Sequence, residues 1–399
     1  MNILVVSHLY PSPVDESRGV FVHHQVKELI NRGHQVTVVS PIPFVPPLPF
    51  LPEKWRNYRA MPTQWTYEGV DVRSPRYIGI PKSRSQPINA RLYRRRLQKE
   101  IARISETQSI DIVHAHVAIP DGYGAISVAE DLNIPLVTTI HGADFYQTKD
   151  VWGCRSLIQR VLDRSDSVTI NSSVLKKQGK RYFDFDPTII PNGVPLDQID
   201  AAKSKSTEIE LPKDKIILTT LGYLIPRKGH RTVIDALAEL NREDIHYLII
   251  GDGPERENLE KYTQQNGVHD RTQFAGYVED QRDVFSLLWE SDIFCLPSYN
   301  EAFGVAYVEA MACSLPTIAR SGEGPEDFIK DGVSGYLLDE KIGERTLSEI
   351  LHHLATSSSL RDDIGEQARS TVEEKYTWAE NARQTEAEYR KVSGRTDWN

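Results

Sequence analysis

Short apolar segments rich in β-branched residues recur along this 399-residue chain, and stretches with helical character separate them. They are Ile3–Ser7, Gln35–Ser40, Ile110–Ala115, Leu136–Ile140, Ser167–Ile170 and Thr188–Ile190 in the first half, and Ile216–Leu221, His246–Ile250, Gln273–Phe274, Ile293–Leu296 and Pro316–Ala319 in the second. Fully apolar strands that alternate with helices indicate parallel sheets covered on both faces. Both halves are therefore expected to form doubly wound α/β domains. The first helix is predicted at Val20–Arg32, before Gly33, which suits a helix stop.

The chain length and one polar segment divide this pattern into domains. A chain of 399 residues suffices for two domains that each bury a core. The segment after Pro195 is polar and lacks a clear apolar period, so we place a linker there. We therefore predict domains over 1–195 and 213–376, a linker over 196–212, and a C-terminal helical segment over 377–399.

The overall charge and the cysteine spacing exclude several kinds of protein. The formal net charge of −9, from 47 basic and 56 acidic residues, argues against a general nucleic-acid-binding protein. Cys154, Cys295 and Cys313 are far apart and lack CxxC spacing, which suggests neither a disulfide framework nor a zinc site. The N-terminus lacks a basic leader and no stretch reaches the roughly 18 apolar residues of a spanning helix, so a cytoplasmic location is expected.

Basic residues are concentrated in segment 82–104, where eight Lys or Arg side chains accompany a single acid, Glu100. The apolar residues of this segment fall roughly on one face of a predicted helix: Leu92, Leu97, Ile101 and Ile104. Such a basic amphipathic helix either lies on an anionic membrane surface or packs its apolar stripe on the first sheet. The preceding proline-rich segment, Pro41–Trp55, is predicted to be a surface loop whose aromatic residues could meet a partner.

In open parallel sheets ligands bind at the carboxyl ends of the strands, so the loops that follow strands are the candidate sites. After Ile216–Leu221, Gly222 allows a close turn, and Arg227 and Lys228 place two cations beside a predicted helix start. Helix N-termini and basic side chains both favour phosphate, although a solvated basic turn would look the same. A later glycine, Gly276 in FAGYV, could border a base-sized pocket.

The segment GDGPEREN carries only a partial dinucleotide-binding pattern. Its GxG could approach a ligand, but Arg256 replaces the third glycine of GxGxxG, which disfavours an NAD-dependent dehydrogenase. A tight strand-to-helix turn explains the same residues. Asp184 and Asp186 form a DxD like that of metal–nucleotide-sugar sites in a different fold, but they lie in a polar, surface-like stretch, and no metal site is expected.

Two glutamates eight positions apart, Glu301 and Glu309, flank a predicted helix start. If Gly304–Cys313 is helical, its free N–H groups point back toward Phe303 and favour an anion there. Glu301 should then face hydroxyl groups, because a carboxylate repels an anion and accepts hydrogen bonds from hydroxyls. At most ~12 Å of helix rise separates the two acids, which a ligand with a sugar at each end of a diphosphate would span. Glu309 taken alone could equally be an ordinary exposed helix glutamate.

Histidines stand at the ends of two strands in the first half. His141 precedes Gly142 and is well placed for a ligand site, whereas His114 and His116 are expected to be structural. In the loop after the first strand, Gly19 directly precedes a helix and permits close backbone approach to a ligand.

Together these segments resemble the GT-B glycosyltransferases of the large retaining family 4, and the resemblance covers nearly the whole chain. The motifs that carry it are GVFVHHQVKELINRGHQVTVV, DIVHAHVAIPDG, IHGAD, IIPNGV, GYLIPRKG, IIGDGPERENL, FAGYV and PSYNEAFGVAYVEAMACSLP. Glu301 and Glu309 fit the E-x7-E motif of that family. The order and spacing of the set are specific for the family and only weakly specific for the substrate.

The resemblance implies two Rossmann-like domains facing a cleft, with the first on the acceptor side and the second holding a nucleotide-sugar donor. The implied catalytic and donor-binding positions are Gly19, His141, Gly222, Arg227, Lys228, Gly276, Glu301, Phe303, Gly304, Val305 and Glu309. Lys228 would hold the diphosphate with help from Arg227, while Glu309 would bind the ribose. Glu301 would contact the transferred sugar, and His141 would line the sugar site. The final helix of the family crosses back onto the first domain, which suits 377–392 of this chain.

Two positions depart from the family pattern. Tyr223 stands where many members carry Arg directly after the glycine of GYLIPRKG, which removes one expected phosphate cation and leaves Arg227 to compensate. Ser314 stands where most members have Gly after AMAC, a position expected to be structural.

The resemblance also implies the reaction. Retaining members are thought to react by front-face substitution, in which the departing phosphate assists the acceptor hydroxyl and neither a metal nor another cofactor is needed. The donor would be a UDP- or GDP-linked sugar and the acceptor a glycan or a lipid-linked sugar, in envelope or surface polysaccharide synthesis at the inner face of the membrane. A nucleotide-sugar epimerase of the same fold and a non-catalytic two-domain sugar-binding protein are the alternative functions.

Overall fold

The computed structural model describes residues 1–48, 50–80, 83–339 and 346–394. Residue contacts divide the chain into two compact units: unit 1 contains Met1–Pro191 with Trp378–Asn399, and unit 2 contains Asn192–Thr377. Four predicted segments include residues outside the described ranges: Pro49 in the proline-rich segment, Lys82 in the basic segment, 340–345 in the second domain and 395–399 in the C-terminal segment.

A largely parallel sheet forms the centre of unit 1. Its strands are β1 (Asn2–Val6), β2 (Gln35–Val39), β4 (Gln64–Tyr67), β5 (Val70–Arg73), β7 (Ile112–His116), β8 (Leu136–Ile140), β9 (Ser167–Ile170) and β10 (Thr188–Ile189). Their order is β4-β5-β2-β1-β7-β8-β9-β10, and only β4 and β5 pair antiparallel among these described strands. The strands predicted for the first half are all present, which confirms the parallel α/β prediction.

The hairpin of β4 and β5 was outside that prediction. Its buried residues, Trp65, Val70 and Val72, alternate with more exposed ones. An edge hairpin of this kind has one solvated face and no fully apolar run, so a search for fully apolar strands passes over it.

The proline-rich segment is not a loop throughout, which corrects the prediction for Pro41–Trp55. Strand β3 (Ile42–Pro43) pairs with β6 (Arg76–Tyr77) through backbone hydrogen bonds of 3.2 and 2.6 Å on either side of Pro43. Pro43 has no N–H, but the residues before and after it supply both bonds, so the pairing tolerates the proline. The end of the segment enters helix α2 (Glu53–Ala60).

Helices cover the unit 1 sheet: α1 (Val20–Asn31), α2, α3 (Gln86–Ser105), α4 (Tyr123–Leu132), α5 (Ala143–Tyr146), α6 (Cys154–Arg164), α7 (Ser173–Lys180) and α15 (Trp378–Ser393). The basic segment forms α3, and its apolar residues Leu97, Ile101 and Ile104 are buried in unit 1. Of the two interpretations of this helix, the structure supports packing of the apolar stripe within the domain.

Helix α15 packs against α1 and shares the core of unit 1. Ala382 and Tyr389 are buried in the same apolar cluster as residues of β1 and α1. Gln25 Nε2 donates to Asn381 Oδ1 over 2.7 Å, and the guanidinium of Arg32 donates to Glu386 over 2.7 Å. The last described helix is therefore an integral part of unit 1.

Unit 2 contains a second parallel sheet. Its described strands are β11 (Ile216–Leu221), β12 (Ile245–Ile250), β13 (Thr272–Gly276), β14 (Ile293–Cys295), β15 (Thr317–Arg320) and β16 (Tyr336–Leu338), in the order β13-β12-β11-β14-β15-β16. The helices are α8 (Leu196–Ala202), α9 (His230–Leu240), α10 (Arg256–Gln265), α11 (Gln281–Trp289), α12 (Val305–Ala312), α13 (Leu347–Thr356) and α14 (Ser358–Lys375). All strands predicted for this half are present, and both units are Rossmann-like.

The predicted linker over 196–212 begins with a short helix. Leu196–Ala202 forms α8, Ile199 is fully buried in unit 2, and the Trp289 indole donates to the Ile199 carbonyl over 2.8 Å. Leu196, Ile199 and Ala202 lie three residues apart and so share one helix face. Three residues are too few to reveal a helical period in a sequence.

Candidate active site

The loop from β11 to α9 lies at the carboxyl edge of the unit 2 sheet. It contains one turn of 3-10 helix, Pro226–Lys228. Gly222 lies under the side chain of Lys228, since a Cβ added to Gly222 would lie 3.6 Å from Lys228 Cε. The stem of Lys228 thus covers the end of β11, and its ammonium group reaches the loop that follows β14.

Lys228 and Glu301 form an ion pair across these two loops. Lys228 Nζ donates to Glu301 Oε2 over 2.7 Å, and each side chain is only 14% exposed. Arg227 lies 3.7 Å from the same carboxylate oxygen and is more exposed. Because β11 and β14 are neighbouring parallel strands, their carboxyl-end loops meet at one edge. Two cations and one carboxylate are therefore brought together.

Glu301 is held by residues that the sequence analysis did not single out. Ser298 Oγ donates to Glu301 Oε2 over 3.2 Å, and Ser298 is hydrogen-bonded to the Tyr307 hydroxyl at 2.7 Å. The Glu323 carboxylate accepts the N–H groups of Asn300 and Glu301 at 2.9 and 2.8 Å. Glu323 lies in the loop after β15. Because ligands bind at the carboxyl ends of parallel strands, this loop could also have been selected from the sequence.

Helix α12 starts directly after Gly304. Gly304 has φ 89°, and a Cβ there would lie 2.5 Å from the Tyr307 ring, so this helix start requires glycine. Phe303 is buried, with its ring 5.4 Å from that of Phe328. Val305 is half-buried and begins the helix, whose first N–H groups have no helical partner. The helix start is thus a site where an anion is favoured.

Glu309 lies in the second turn of α12. Part of its side chain is accessible, yet burial of the carboxyl raises its pKa to about 7. Gln281 Nε2 donates to Glu309 Oε1 over 3.2 Å. Among the described residues, Glu309 has no basic ion-pair partner. An ordinary exposed helix glutamate would keep its usual pKa, so Glu309 does not fit that description.

The remaining unit 2 candidates surround this edge. Gly276 ends β13 with φ 74°, and its carbonyl accepts the Gly251 N–H at 2.8 Å. Tyr223 is 60% exposed, so its side chain projects from the loop. Arg256 lies over the Phe274 ring at 5.1 Å and pairs with Glu260 at 2.7 Å, which accounts for it without a ligand.

Two other positions noted in the sequence, Ser314 and Asp186, make contacts that account for them without a ligand. Ser314 follows α12 with φ 58° and donates its N–H to Met311 at 3.0 Å, so it forms the turn after the helix. Asp186 is exposed on unit 1 and pairs with Lys176 and Lys180 at 3.0 and 3.3 Å.

In unit 1, Gly19 and His141 both lie at the carboxyl edge of the sheet. Gly19 has φ 68° and directly precedes α1; a Cβ there would overlap the Leu9 carbonyl, so glycine is required. His141 follows β8, stacks on His116 with ring centroids 5.3 Å apart, and contacts the Phe21 ring at 4.6 Å. Nδ1 of His116 and Nε2 of His141 share a hydrogen bond of 3.0 Å.

Burial disfavours the protonated form of three histidines near this edge, His114, His116 and His141. Burial lowers the pKa of His141 and of His114 to about 3, and it lowers the pKa of His116 well below the usual value. His114 is hydrogen-bonded to the Tyr389 hydroxyl at 2.6 Å and to Thr139 at 2.7 Å. Within the described part of the chain, His141 Nδ1 is buried and lacks a partner. His114 is thus hydrogen-bonded through both ring nitrogens, unlike His141.

A second polar cluster at the same edge, centred on His8 and Asp121, was not anticipated. His8 Nδ1 lies 2.8 Å from Asp121 Oδ2, and the Tyr93 hydroxyl donates to Asp121 Oδ1 over 2.5 Å. Asp144 accepts two backbone N–H groups of the loop after β7, and burial raises its pKa to about 6. His8 lies just beyond β1, so the rule that selected Gly19 points to it as well.

The described residues contain neither a metal-binding cluster nor a membrane-spanning helix. No group of three or more His, Cys, Asp or Glu side chains there is arranged to hold a metal ion. No helix in these ranges combines the length and apolar character needed to cross a bilayer.

Two family models match the chain, and between them they cover both units. The model described as "Glycosyltransferase Family 4" matches residues 19–198, and the model described as "Glycosyl transferases group 1" matches residues 202–371. A Bacillus subtilis (strain 168) protein named for teichuronic acid biosynthesis, the glycosyltransferase TuaC, is 26% identical over 98% of this chain and 99% of its own length.

Solved structures agree on the fold. The sucrose-phosphate synthase of Thermosynechococcus elongatus superposes with a TM-score of 0.78 at 18% identity, over 99% of each chain. Anabaena HepE, solved in complex with UDP-glucose, superposes with a TM-score of 0.67 at 15% identity, over 98% of this chain and 100% of its own. At 18% and 15% identity these structures establish the GT-B fold alone. With both family models matched and the fold in place, the chain belongs to the group 1/family 4 GT-B glycosyltransferases.

Proposed function

We propose that this chain transfers a sugar, with retention of its anomeric configuration, from a UDP-linked donor to a glycan or glycolipid acceptor in envelope or surface polysaccharide synthesis. The observation that carries the proposal is the Lys228–Glu301 ion pair, with Arg227 beside it. Two cations near a helix start favour a phosphorylated donor over a plain sugar.

In this proposal Lys228 and Arg227 bind the donor diphosphate. The bond from the anomeric carbon to the diphosphate oxygen breaks during transfer, and negative charge grows on that oxygen. Lys228 and the first N–H groups of α12 would stabilise this charge without rearrangement, which lowers the barrier. Neither a metal nor another cofactor has a role in the proposal.

The two glutamates would hold the sugar rings at each end of the donor. Ser298 donates to the Glu301 carboxylate, and the Glu323 carboxylate accepts the Glu301 backbone N–H, so Glu301 is positioned to accept hydroxyl groups of the transferred sugar. Glu309 would accept ribose hydroxyls, and its lack of a basic partner among the described residues leaves the carboxylate available for them. Gly222, Gly276, Phe303, Gly304 and Val305 would supply backbone groups near the nucleotide and phosphates.

From unit 1, His141 would offer its buried Nδ1 to the transferred sugar, and Gly19 would admit a phosphate close to the backbone. The choice of UDP rests on the Anabaena structure, which was solved in complex with UDP-glucose. The setting in envelope polysaccharide synthesis rests on the Bacillus relative.

We further propose contact with an anionic membrane surface through segment 82–104, using a different face from the buried stripe. Ile78, Ile80 and Ile88 are exposed, and Asn89 hydrogen bonds to the Ile80 backbone at 2.8 and 2.9 Å hold the first two beside α3. The outer face of α3 carries exposed basic residues that have no ion-pair partner among the described residues, namely Arg91, Arg95 and Lys99, and Arg84 just before the helix is exposed as well. Exposed isoleucines beside unpaired basic groups suit an interface with acidic lipids.

Thermal denaturation with a panel of UDP-, GDP- and ADP-sugars tests the donor site. A nucleotide that binds the folded chain raises its melting temperature, and the largest rise is expected with a UDP-sugar. Product analysis by NMR, with the same anomeric configuration in donor and product, tests retention. The absence of a shift with every nucleotide would refute the proposed donor site, and conversion of the donor sugar without an acceptor would favour an epimerase.

A further inference from the structure

We propose that Glu323 is a positioning residue for the transferred sugar. Its carboxylate fixes the backbone of the loop 299–303 and thereby sets where the side chain of Glu301 stands. This role rests on the proposed transferase function, in which Glu301 accepts hydroxyl groups of that sugar, and adds a residue to it. All of the groups involved belong to unit 2.

Glu301 is held through its main chain by two consecutive residues of the loop after β15. The Glu323 carboxylate accepts the Glu301 N–H over 2.8 Å, and the Gly324 N–H donates to the Glu301 carbonyl over 2.9 Å. Gly324 also packs closely against the loop, because a Cβ added there would lie 2.5 Å from the Ala302 carbonyl oxygen. Both main-chain polar groups of Glu301 are therefore fixed, and its side chain is left to meet a ligand.

The Glu323 carboxylate also fills an anion-binding place in this backbone. Its other oxygen accepts the Asn300 N–H over 2.9 Å, and Asn300 has a left-handed φ of 55°. Successive N–H groups that a turn directs to the same side form a concave site for an anion. Because Glu323 occupies this site, the donor diphosphate is left with Lys228 and the start of α12.

The backbone of Glu323 is itself held in place. Glu323 stands directly before the 3-10 turn Gly324–Asp327, and its carbonyl accepts the Glu326 N–H over 3.0 Å. The carboxylate of Glu326 in turn accepts the Gly322 N–H over 2.6 Å. A carboxylate whose own backbone is fixed in this way can hold a neighbouring loop in one position.

Glu301 is thus held from both neighbouring strands of β14, which are β11 and β15. On the β11 side the Arg227 carbonyl accepts the Tyr299 N–H over 2.9 Å, and Lys228 pairs with the Glu301 carboxylate. The ion pair alone would let the side chain of Glu301 follow Lys228, so the backbone bonds on the β15 side decide where the pair stands. A ligand group displaced by about 1 Å can cost about 10²-fold in rate.

Glu323→Gln tests this role with little change in size. The amide keeps one acceptor oxygen and places a donor where the second was, so one of the two backbone bonds is lost. We expect kcat/KM for the UDP-sugar with the largest thermal shift to fall by about 10- to 100-fold, while the Kd for UDP, which lacks the transferred sugar, changes by less than about twofold. The assay measures UDP release with n-octyl glucoside or water as acceptor, and calorimetry measures the Kd.

Asp331→Asn is the matched control. The Asp331 carboxylate accepts the Leu337 N–H over 2.9 Å at an exposed position of the same unit, so this variant loses a comparable bond away from the loop 299–303. Its rate should equal that of the unsubstituted chain. A Glu323→Gln rate within about threefold of this control would overturn the proposal, and so would an equal weakening of UDP and UDP-sugar binding.

A double-substitution cycle separates positioning from a general contribution to stability. If Glu323 acts through Glu301, then Glu323→Gln should lower the rate little further in a chain that already carries Glu301→Gln. An equal loss in both backgrounds would mean that Glu323 acts independently of Glu301, which contradicts the proposal. The melting temperatures of the single and double variants show that each one is folded.

Chemical rescue tests the occupation of the backbone site. Glu323→Ala vacates the site, and formate carries the same carboxylate group without a side chain. We expect sodium formate at about 0.1 M to restore part of the rate in Glu323→Ala but not in Glu323→Gln, whose side chain still fills the space. Sodium chloride at the same concentration controls for ionic strength. Equal rates of Glu323→Ala in formate and in chloride would overturn the assignment of an anion site.

A spectroscopic test stands apart from turnover. Amide protons that donate to a carboxylate resonate downfield, so Glu323→Gln should move the NMR signals of the Asn300 and Glu301 amides upfield. Unchanged signals would show that Glu323 does not hold the loop. If the unsubstituted chain releases UDP from none of the UDP-sugars, the proposed function fails, while the amide signals still decide whether Glu323 positions Glu301.

Discussion

Lys228 Nζ and Glu301 Oε2 lie 2.7 Å apart. The residue proposed to bind the diphosphate and the residue proposed to bind the transferred sugar therefore already form an ion pair. The pair is mostly buried, and a carboxylate in such surroundings needs its cation. Lys228 would contact a bound diphosphate and Glu301 at the same time. One side chain would thus connect the diphosphate site with the sugar site.

Replacing Lys228 with Ala should remove most of the transfer activity. The departing diphosphate loses a positioned cation, and removal of one such group costs about 10²- to 10³-fold in kcat. Glu301→Gln should also impair transfer, because the neutral amide binds the sugar hydroxyls and Lys228 less strongly. The measurement is UDP release together with the melting temperature of each variant. Lys213→Ala, at an exposed position outside the site, is the control; variants that match its rate would contradict the role of the pair.

A comparison of substitutions at two glycines tests whether the close packing of Gly304 against Tyr307 at the start of α12 matters for stability and UDP binding. Gly304→Ala adds a Cβ at 2.5 Å from the Tyr307 ring, whereas Gly322→Ala has nothing within 4 Å; both positions have positive φ. Backbone strain is therefore common to both variants, at about 1–2 kcal/mol. We expect Gly304→Ala to lose additional stability and UDP affinity, measured by urea unfolding and calorimetry. Equal losses in the two variants would mean that the contact with Tyr307 does not matter.

Most strands of both sheets could be predicted because they are short, buried apolar runs, but the three-residue strand β16 was not predicted. The alternating strands β4 and β5 have no such run, and α8 is too short to show a period. The site was harder to predict. The sequence indicates Glu301 and Lys228 as ligand-binding residues, but their mutual contact depends on the meeting of two loops separated by 73 positions. Likewise, no spacing rule joins His8 to Asp121, because neighbouring strands β1 and β7 are distant in the chain.

The raised pKa of Glu309 predicts opposite effects of pH on stability and on nucleotide binding. Its pKa is 4.5 in an unfolded chain and about 7 here, so between these values the folded state holds more protons. Stability should therefore fall as pH rises from about 5 to 8, by about 1–3 kcal/mol for this group. UDP affinity should rise over the same range, because ribose hydroxyls donate to the carboxylate.

Glu309→Gln should flatten both pH dependences. The variant cannot ionise at this position, so its melting temperature at pH 8 should exceed that of the unsubstituted chain, while its UDP affinity at pH 8 should be about tenfold lower. Differential scanning calorimetry and titration calorimetry at pH 5.5 and 8 measure these effects. An unchanged pH dependence of UDP binding would rule out ribose contact through the carboxylate.

The contact between Tyr389 and His114 predicts how α15 contributes to unit 1. The Tyr389 hydroxyl is hydrogen-bonded to His114 Nδ1 at 2.6 Å, and both side chains are buried. Tyr389→Phe keeps the ring but leaves His114 Nδ1 unpaired, which should cost about 1–3 kcal/mol. The melting temperature should then fall by about 2–4 °C for each kcal/mol of stability lost. The fall should appear in the unfolding transition of unit 1. Tyr182→Phe, at a partly exposed ring, is the control and should leave the melting temperature unchanged. If Tyr389→Phe melts like that control, the hydrogen bond contributes nothing and α15 is held by its apolar face alone.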